Sequence, residues 1–283
     1  MLVYIKNNRI KSAFVAFLVI LLLFWLVWSN VSIENSHYVI QNDDLPVSFD
    51  GFKIAHVSDL HNAEFGKNNE RLLEMLRDAD PDVIAITGDL VDNFHTDTEI
   101  AISFLEEAMK IAQCYYVTGN HEAWMGRVEY MALEAEMLQL GVIVLHNESL
   151  TVERGVETIT ISGVDDPDFN SRFLQNLRNT ANADRFTVLL SHRPENFEDY
   201  ADNGFDVVLA GHAHGGQFRL PLIGGLIAPG QGWFPKYDSG TYEMDGTTMI
   251  VSRGMGNSIV PIRFNNRPQL IIVELQKAGD NNE

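Results

Sequence analysis

The chain has 283 residues, 46% of them hydrophobic and 21% charged, a balance that excludes a mainly disordered or collagen-like polymer and permits one large domain or two small ones. Its 20 Lys and Arg against 39 Asp and Glu leave a formal net charge of −19, which argues against nucleic acid as a partner, because a polyanion would meet a like-charged surface. The single cysteine, Cys114, cannot form an intramolecular disulfide and reads as a small buried hydrophobe.

The charge is unevenly spread. Lys6, Arg9 and Lys11 are the only charged side chains before Glu34, so the rest of the chain holds 17 basic against 39 acidic residues, a net of −22. Between the two zones runs an apolar stretch from Ala13 to Trp28. With Ser12 and Ser29 it would rise to roughly 27 Å as a helix, close to the hydrocarbon thickness of a bilayer. Trp25 and Trp28 suit the interface, and the three basic residues favour a cytoplasmic amino terminus with the main domain outside. A cleaved signal peptide shares the basic start and apolar middle, but Ser29 to Ser32 offers no A-x-A-like site. The expectation is a single-pass cell-membrane anchor over residues 1–33 and one domain over residues 34–283. Deletion of the chain before Glu34 is expected to leave a soluble protein active on short substrates.

From Lys53 onward, β-branched or aromatic runs alternate with segments of helical period, the pattern of a layered α/β domain. Strands are predicted at 53–58, 83–87, 115–118, 142–145, 158–163, 187–191, 207–210, 248–252 and 270–275. Leu72, Leu73 and Leu76 form one helical stripe, and Ile100, Phe104, Leu105 and Met109 another. After His214 the chain reads mostly as strand and loop.

Several of these strands run into the same kind of residue. The first ends in Asp59-Leu60-His61, the second in Gly88-Asp89, and the third in Gly119-Asn120-His121-Glu122. Later ones end in Ser191-His192 and Gly211-His212-Ala213-His214. In a layered α/β sheet the carboxyl ends of the strands share one edge, where ligands bind. Residues i and i+2 of an extended chain point to one side, so Asp59 with His61, and His212 with His214, can each offer two donors to one place. Each pair alone is a weak signal. Five such elements in order, holding five of the nine histidines, are a strong one.

This ordered pattern resembles the calcineurin-like metallophosphoesterase family over about residues 50 to 275. It is most similar to bacterial membrane-anchored members, which share Ser58-Asp59-Leu60-His61, the Gly163 to Asp166 run, and Gly211 to Gln217 followed by Leu220-Pro221. The resemblance implies a sandwich of two β-sheets flanked by helices and a centre of two divalent metal ions. By it, Asp59, His61 and His214 would hold one ion, Asp89 would bridge, and Asn120, His192 and His212 would hold the other. Oxygen and imidazole donors suit Mn²⁺, Zn²⁺ or Fe, and the absence of thiolates argues against a closed structural zinc site. Such a centre activates hydroxide for in-line attack on a phosphodiester or pyrophosphate, with His121 near the leaving group as general acid or transition-state stabiliser.

Relatives of the anchored type suggest a lipid-linked or envelope substrate, including the UDP-2,3-diacylglucosamine of lipid A synthesis. That compound is made on the cytoplasmic side, whereas the charge bias turns the domain outward. A non-catalytic binding module of the same fold is the alternative, and no protein partner is implied. His37, His56, His95 and His146 match no element and read as structural or surface residues. Asp165 and Asp166 are turn formers or site carboxylates, and Arg193 meets a substrate phosphate or an ion-pair partner. Gly215, Gly216 and Gln217 allow close backbone approach or make a tight turn. The apolar stretch from Leu220 to Phe234 is either a buried connection or a hydrophobic lip beside the site.

Overall fold

A computed structural model describes residues 2–166, 171–180, 185–257 and 260–279, with side chains from Lys11 onward except those of residues 171 and 172. The side chains of Lys6 and Arg9 therefore lie outside the described residues. In chain order the first strands are β1 (Glu34–Asn42), β2 (Phe52–Val57), β3 (Val83–Thr87), β4 (Gln113–Val117), β5 (Ile143–Val144), β6 (Glu148–Arg154), β7 (Glu157–Gly163) and β8 (Thr187–Leu190). They are followed by β9 (Val207–Ala210), β10 (Arg219–Leu220), β11 (Gly224–Gly225), β12 (Ile227–Ala228), β13 (Gly232–Trp233), β14 (Gly240–Met244), β15 (Thr247–Val251) and β16 (Gln269–Lys277). The helices are α1 (Leu2–Val31), α2 (Glu70–Ala79), α3 (Thr98–Ala108), α4 (Asn120–Trp124), α5 (Arg127–Gln139), α6 (Ser171–Thr180) and α7 (Phe197–Asp202).

Two six-stranded sheets form, one in the order β1-β16-β2-β3-β4-β5 and the other β14-β15-β9-β8-β7-β6. The alternation of side chains along a strand assigns the layers. In β3, Val83 and Ala85 face the apolar layer between the sheets, while Ile84 and Ile86 face the layer under α2, α3 and α5. The layer between the sheets joins Ile54, Val273 and Tyr115 of the first to Ile161, Val188, Leu209 and Ile250 of the second. A third layer, around Leu174, Phe197, Tyr200 and Phe205, seals the outer face of the second sheet with α6 and α7. The α/β sandwich implied by the resemblance is the observed fold. Because β2, β3 and β4 are mutually parallel, as are β7, β8 and β9, their carboxyl ends open at one end of the sandwich.

Helix α1 extends past the apolar run on both sides. The segment Lys11–Val31 is long and apolar enough to cross a membrane, and its side chains are almost all exposed. Among the described residues, only its last turn packs on the domain. Ser29 is buried, and the Asn30 side chain bonds both ways to the backbone of Arg263, accepting from its N–H at 2.9 Å and donating to its carbonyl at 3.0 Å. The guanidinium of Arg267 lies 4.6 Å from the centre of the Trp28 ring and donates to Ser32 and Ile33. A cut before Glu34 removes these contacts, whereas a cut before Val27 keeps them. With five part-buried bonds lost, each worth about 0.5 kcal/mol, and each kcal/mol about 2–4 °C in a domain this size, the chain starting at Glu34 should melt roughly 5–10 °C below the one starting at Val27. Equal melting temperatures by calorimetry would show that the last turn contributes nothing.

Candidate metal centre

At the open end of the sandwich the five strand-end motifs meet. Asp59 follows β2, Asp89 follows β3, Asn120 opens α4 after β4, His192 follows β8, and His212 and His214 follow β9. All seven side chains named from the sequence are buried, and so is His121. Potential donor atoms of Asp59, His61, Asp89 and His214 lie within 4.8 Å of one another, as do those of Asp89, His192 and His212.

Their backbones are held in unusual conformations. Asp59, His61, Asp89, His212 and His214 have φ of 52°, 45°, 54°, 64° and 46°, in the left-handed region that L-residues avoid at a cost of about 1–3 kcal/mol each. Such strain persists only where the surroundings over-determine it. Here the loops lock together through Asp59 N–H to the Gly88 carbonyl, His61 N–H to the Asp89 carbonyl, and the His212 N–H to the Asp59 carboxylate. Close approach requires glycine at several points, Gly88 and Gly211 among them. A Cβ on Gly88, whose φ is 82°, would sit 2.5 Å from the Gly119 nitrogen, and one on Gly211 would sit 1.9 Å from the Ser58 hydroxyl.

Two donor groups share one atom. Asp89 Oδ2 lies 3.5 Å from His61 Nε2 and 3.2 Å from His192 Nε2. On the first side, His61 Nε2 is 3.2 Å from His214 Nε2, which is 3.4 Å from Asp59 Oδ1. On the second, His192 Nε2 is 3.1 Å from both Asn120 Oδ1 and His212 Nδ1. Ions with bonds of about 2.0–2.2 Å to N and O set neighbouring donors about 3.0–3.5 Å apart, and this set fits that spacing. The Nδ1–H of His192 donates to the Thr87 carbonyl at 2.7 Å, which turns Nε2 toward the cluster.

Electrostatics agrees with the geometry. Burial pushes His61 and His214 down to about 3 and His212 well below its ordinary value, so three imidazoles are neutral and can donate lone pairs. His192 behaves oppositely: burial opposes its charge, but Asp89 and Asp59 prevail and raise it to about 10. Burial alone would raise Asp89, yet His192 and His61 hold it far below the carboxylate range. A positive charge is thus favoured beside Asp89, where a cation could replace the second proton of His192.

Some participants carried no role in the sequence reading. Glu122 is buried, and its carboxylate accepts from the backbone N–H of Asp89 and of Gly119, each at 2.8 Å, and from that of Val91 at 3.2 Å. Burial and the charge of Asp89 raise it to about 7 against those three donors. Asp92 joins His61 and His121 in a third group of donor atoms. The Nδ1 of His121 accepts from Asn93 N–H at 3.2 Å, so its ring proton is on Nε2. Exposed Phe94 and Trp124 flank this ring at 5.9 and 5.3 Å. Only the position of Asp92, three residues after Asp89, could have flagged it.

The residues with two readings resolve individually. Arg193 forms an ion pair with Asp166 through Nε and Nη2, and its Nη1 lies 3.4 Å from Glu195 and 3.5 Å from His212 Nε2. Asp165 accepts from the Thr118 hydroxyl and pairs with His146, so neither carboxylate is only a turn former. His214–Gly216 is a tight turn that also brings two backbones close, since a Cβ on Gly216 would sit 2.3 Å from the Gly225 Cα. His56 bonds Thr87 beneath the cluster, His37 pairs with Glu274, His95 is exposed, and Cys114 is buried. The Leu220 to Phe234 stretch is not a buried connection: Leu222, Ile223, Trp233 and Phe234 project into the open.

His146 gives a pH test away from the cluster. Its hydrogen bonds to Asp165 and Glu134, opposed by partial burial, raise it to about 9. A raised histidine stabilises fully below its unfolded value of about 6.5 and loses that contribution as pH rises through the folded value. His146→Gln should therefore flatten the fall in stability from about pH 6.5 to 9 in urea melts, and an unchanged slope would refute the pairing.

A family model described as calcineurin-like phosphoesterase matches residues 52–216. The uncharacterized metallophosphoesterase YkuE of Bacillus subtilis (strain 168) is 29% identical over 254 residues, 87% of this chain and 87% of its own. Phosphodiesterase YaeI of Escherichia coli (strain K12) is 28% identical, over 79% of this chain and 82% of its own. A transmembrane protein with metallophosphoesterase domain from Danio rerio is 28% identical over 83% of this chain and 56% of its own. Among solved structures, the Thermus thermophilus sulfate thiohydrolase SoxB in complex with glycerol shares the fold, with a TM-score of 0.52 at 12% identity over 81% of this chain and 57% of its own. The family and the donor clusters together suggest a dinuclear divalent-metal site, and α1 with the transmembrane relative suggests single-pass anchoring. Matched by the family model over more than half its length, the chain belongs to the calcineurin-like phosphoesterase family and is a metal-dependent phosphoesterase.

Proposed function

We propose that the protein is a membrane-anchored dinuclear phosphodiesterase or pyrophosphatase acting on a lipid-linked or envelope substrate. Residues 1–33 are its tail and anchor and residues 34–283 its catalytic domain, turned away from the cytoplasm by the basic tail. The observation that carries the reading is Asp89 Oδ2, 3.5 Å from His61 Nε2 and 3.2 Å from His192 Nε2, shared between two donor groups.

In this reading Asp59, His61 and His214 hold one ion, Asn120, His192 and His212 the other, and Asp89 bridges. Two divalent ions so held supply Lewis acidity that makes water nucleophilic near neutral pH and offsets charge on the phosphate. The chain supplies the rest. Thr87 and Asp89 orient His192, the Glu122 carboxylate fixes the Asp89 and Gly119 backbones, and the Asp59 carboxylate fixes the backbone of His212. His121 offers the Nε2 proton to the leaving group, beside a wall made by Phe94 and Trp124. The lipid-linked substrate class is supported by the anchor and by the exposed apolar tips that follow His214.

Purified protein is expected to carry about two divalent ions per chain and to hydrolyse bis(4-nitrophenyl) phosphate in a metal-stimulated way. No bound metal and no turnover would leave a non-catalytic module. A panel of lipid-linked and soluble phosphodiesters then ranks substrates, and a preference for the soluble ones would remove the lipid assignment.

A further inference from the structure

We propose that the hairpins of residues 219–234, with the neighbouring Val260–Ile262 edge, seat on the surface of the bilayer that α1 enters, holding the metal centre against the headgroup layer. The proposal rests on α1 spanning the membrane and not on the identity of the substrate.

Composition is the first support. From Leu220 to Phe234 there is no charged side chain, in a region that otherwise carries a net of −22. Exposure is the second. Leu222 is fully open, and Ile223, Trp233, Phe234, Val260 and Ile262 are 59%, 71%, 63%, 40% and 46% exposed. Aliphatic and aromatic side chains of this kind partition into the boundary between headgroups and acyl chains. The backbone adds a third. Leu222 and Phe234 have φ of 68° and 54°, a conformation that bulky residues adopt only at a cost, and at both positions it accompanies an apolar side chain left in the open.

Continuity with the anchor identifies the occupant. In the last turn of α1, Asn30 bonds the backbone of Arg263 in both directions. Next to Arg263, the carbonyls of Ile262 and Val260 accept from Gln217 Nε2 at 2.7 and 2.8 Å. Arg219, at the base of the first hairpin, donates its N–H to the Phe264 carbonyl at 3.0 Å. Hydrogen bonds therefore connect the point where α1 leaves the bilayer to the apolar tips, and a surface held that close to the membrane meets lipid before any other partner. The same scaffold reaches the centre, because Asn266 Nδ2 donates to the His214 carbonyl at 2.7 Å and Arg219 Nη1 to that of Gly215 at 2.9 Å.

The test uses the full chain in vesicles of phosphatidylcholine and phosphatidylglycerol. A nitroxide is attached at Leu222→Cys, or at Val156→Cys as a control. Val156 is fully exposed in the turn before β7, at the end of the sandwich opposite the metal centre. The native Cys114 is buried, with its thiol pushed up to about 12, and does not compete for the label. The expected result is oxygen-favoured collision at position 222 and collision favouring a water-soluble nickel complex at 156. Equal nickel accessibility at the two positions would overturn the proposal. So would spin–spin broadening at 222 that disappears on dilution with unlabelled protein, which assigns the face to a second copy. Turnover of bis(4-nitrophenyl) phosphate by the same labelled protein is expected to match wild type, so a failure of the catalytic reading is seen separately from a failure of docking.

Discussion

Asp89→Asn is expected to lower kcat/KM on a generic phosphodiester by about 10³-fold or more, about 4 kcal/mol of transition-state stabilisation. The substitution removes charge while sparing the fold. Asn tolerates the left-handed backbone at this position, where φ is 54°, and its amide oxygen can still accept the His121 N–H that Oδ1 accepts at 2.8 Å. What it cannot do is serve as an anion to both donor groups. Oδ2 faces His61 Nε2 on one side and His192 Nε2 on the other, so both ions should weaken together. Asn120→Ala touches only the second group, through Oδ1 at 3.1 Å from His192 Nε2, and should lose chiefly one ion at a cost of several orders of magnitude in rate. Metal content by mass spectrometry separates the two variants. Near-normal turnover with two ions bound in Asp89→Asn would contradict the bridging assignment.

The elements legible in the sequence are those whose burial repeats with a simple period. β3 is buried on both faces and reads as a short, nearly continuous apolar run rich in Val and Ile, and β8 and β9 likewise read as apolar runs of Val with Leu. β1 escaped prediction because Glu34, Ser36, Tyr38 and the residues between them sit half in solvent on the edge of a sheet, paired on one side only with β16. Helix α5 escaped because it buries only Leu133 and Met137, too few to form a stripe. Donor residues showed themselves through their place at strand ends, since strand geometry converts chain order into convergence. The supporting groups lacked such a signal. Arg263 is fully buried, with its guanidinium on the carbonyls of Arg253 and Gly256, and nothing in its neighbours' composition distinguishes it from a surface arginine. The Leu220 to Phe234 stretch was ambiguous for a different reason: an apolar composition describes a buried connection and an exposed lip equally well, and only tertiary contacts separate them.

Glu122 shows how far a role can lie from its motif, and it gives the largest expected effect on stability. Its two oxygens serve three backbone donors, those of Asp89, Val91 and Gly119, drawn from loops about thirty residues apart in the chain. Glu122→Ala leaves these N–H groups buried without partners, at about 1–3 kcal/mol each, so a loss of at least about 3 kcal/mol is expected. In a chain of this size that corresponds to a fall of roughly 6–12 °C in melting temperature. The two loops carry Asp89, the proposed bridge, and Asn120, so the damage should also reach the candidate metal centre. Glu122→Gln distinguishes the causes. It keeps the volume and one accepting oxygen but points an amide donor at backbone donors, so it should lose most of the same stability without creating a cavity. Should Glu122→Gln melt with the wild type while Glu122→Ala does not, packing and not the three hydrogen bonds would be what Glu122 supplies. If both fall and both bind less metal, the carboxylate is the clamp that holds the β3 and β4 loops in register.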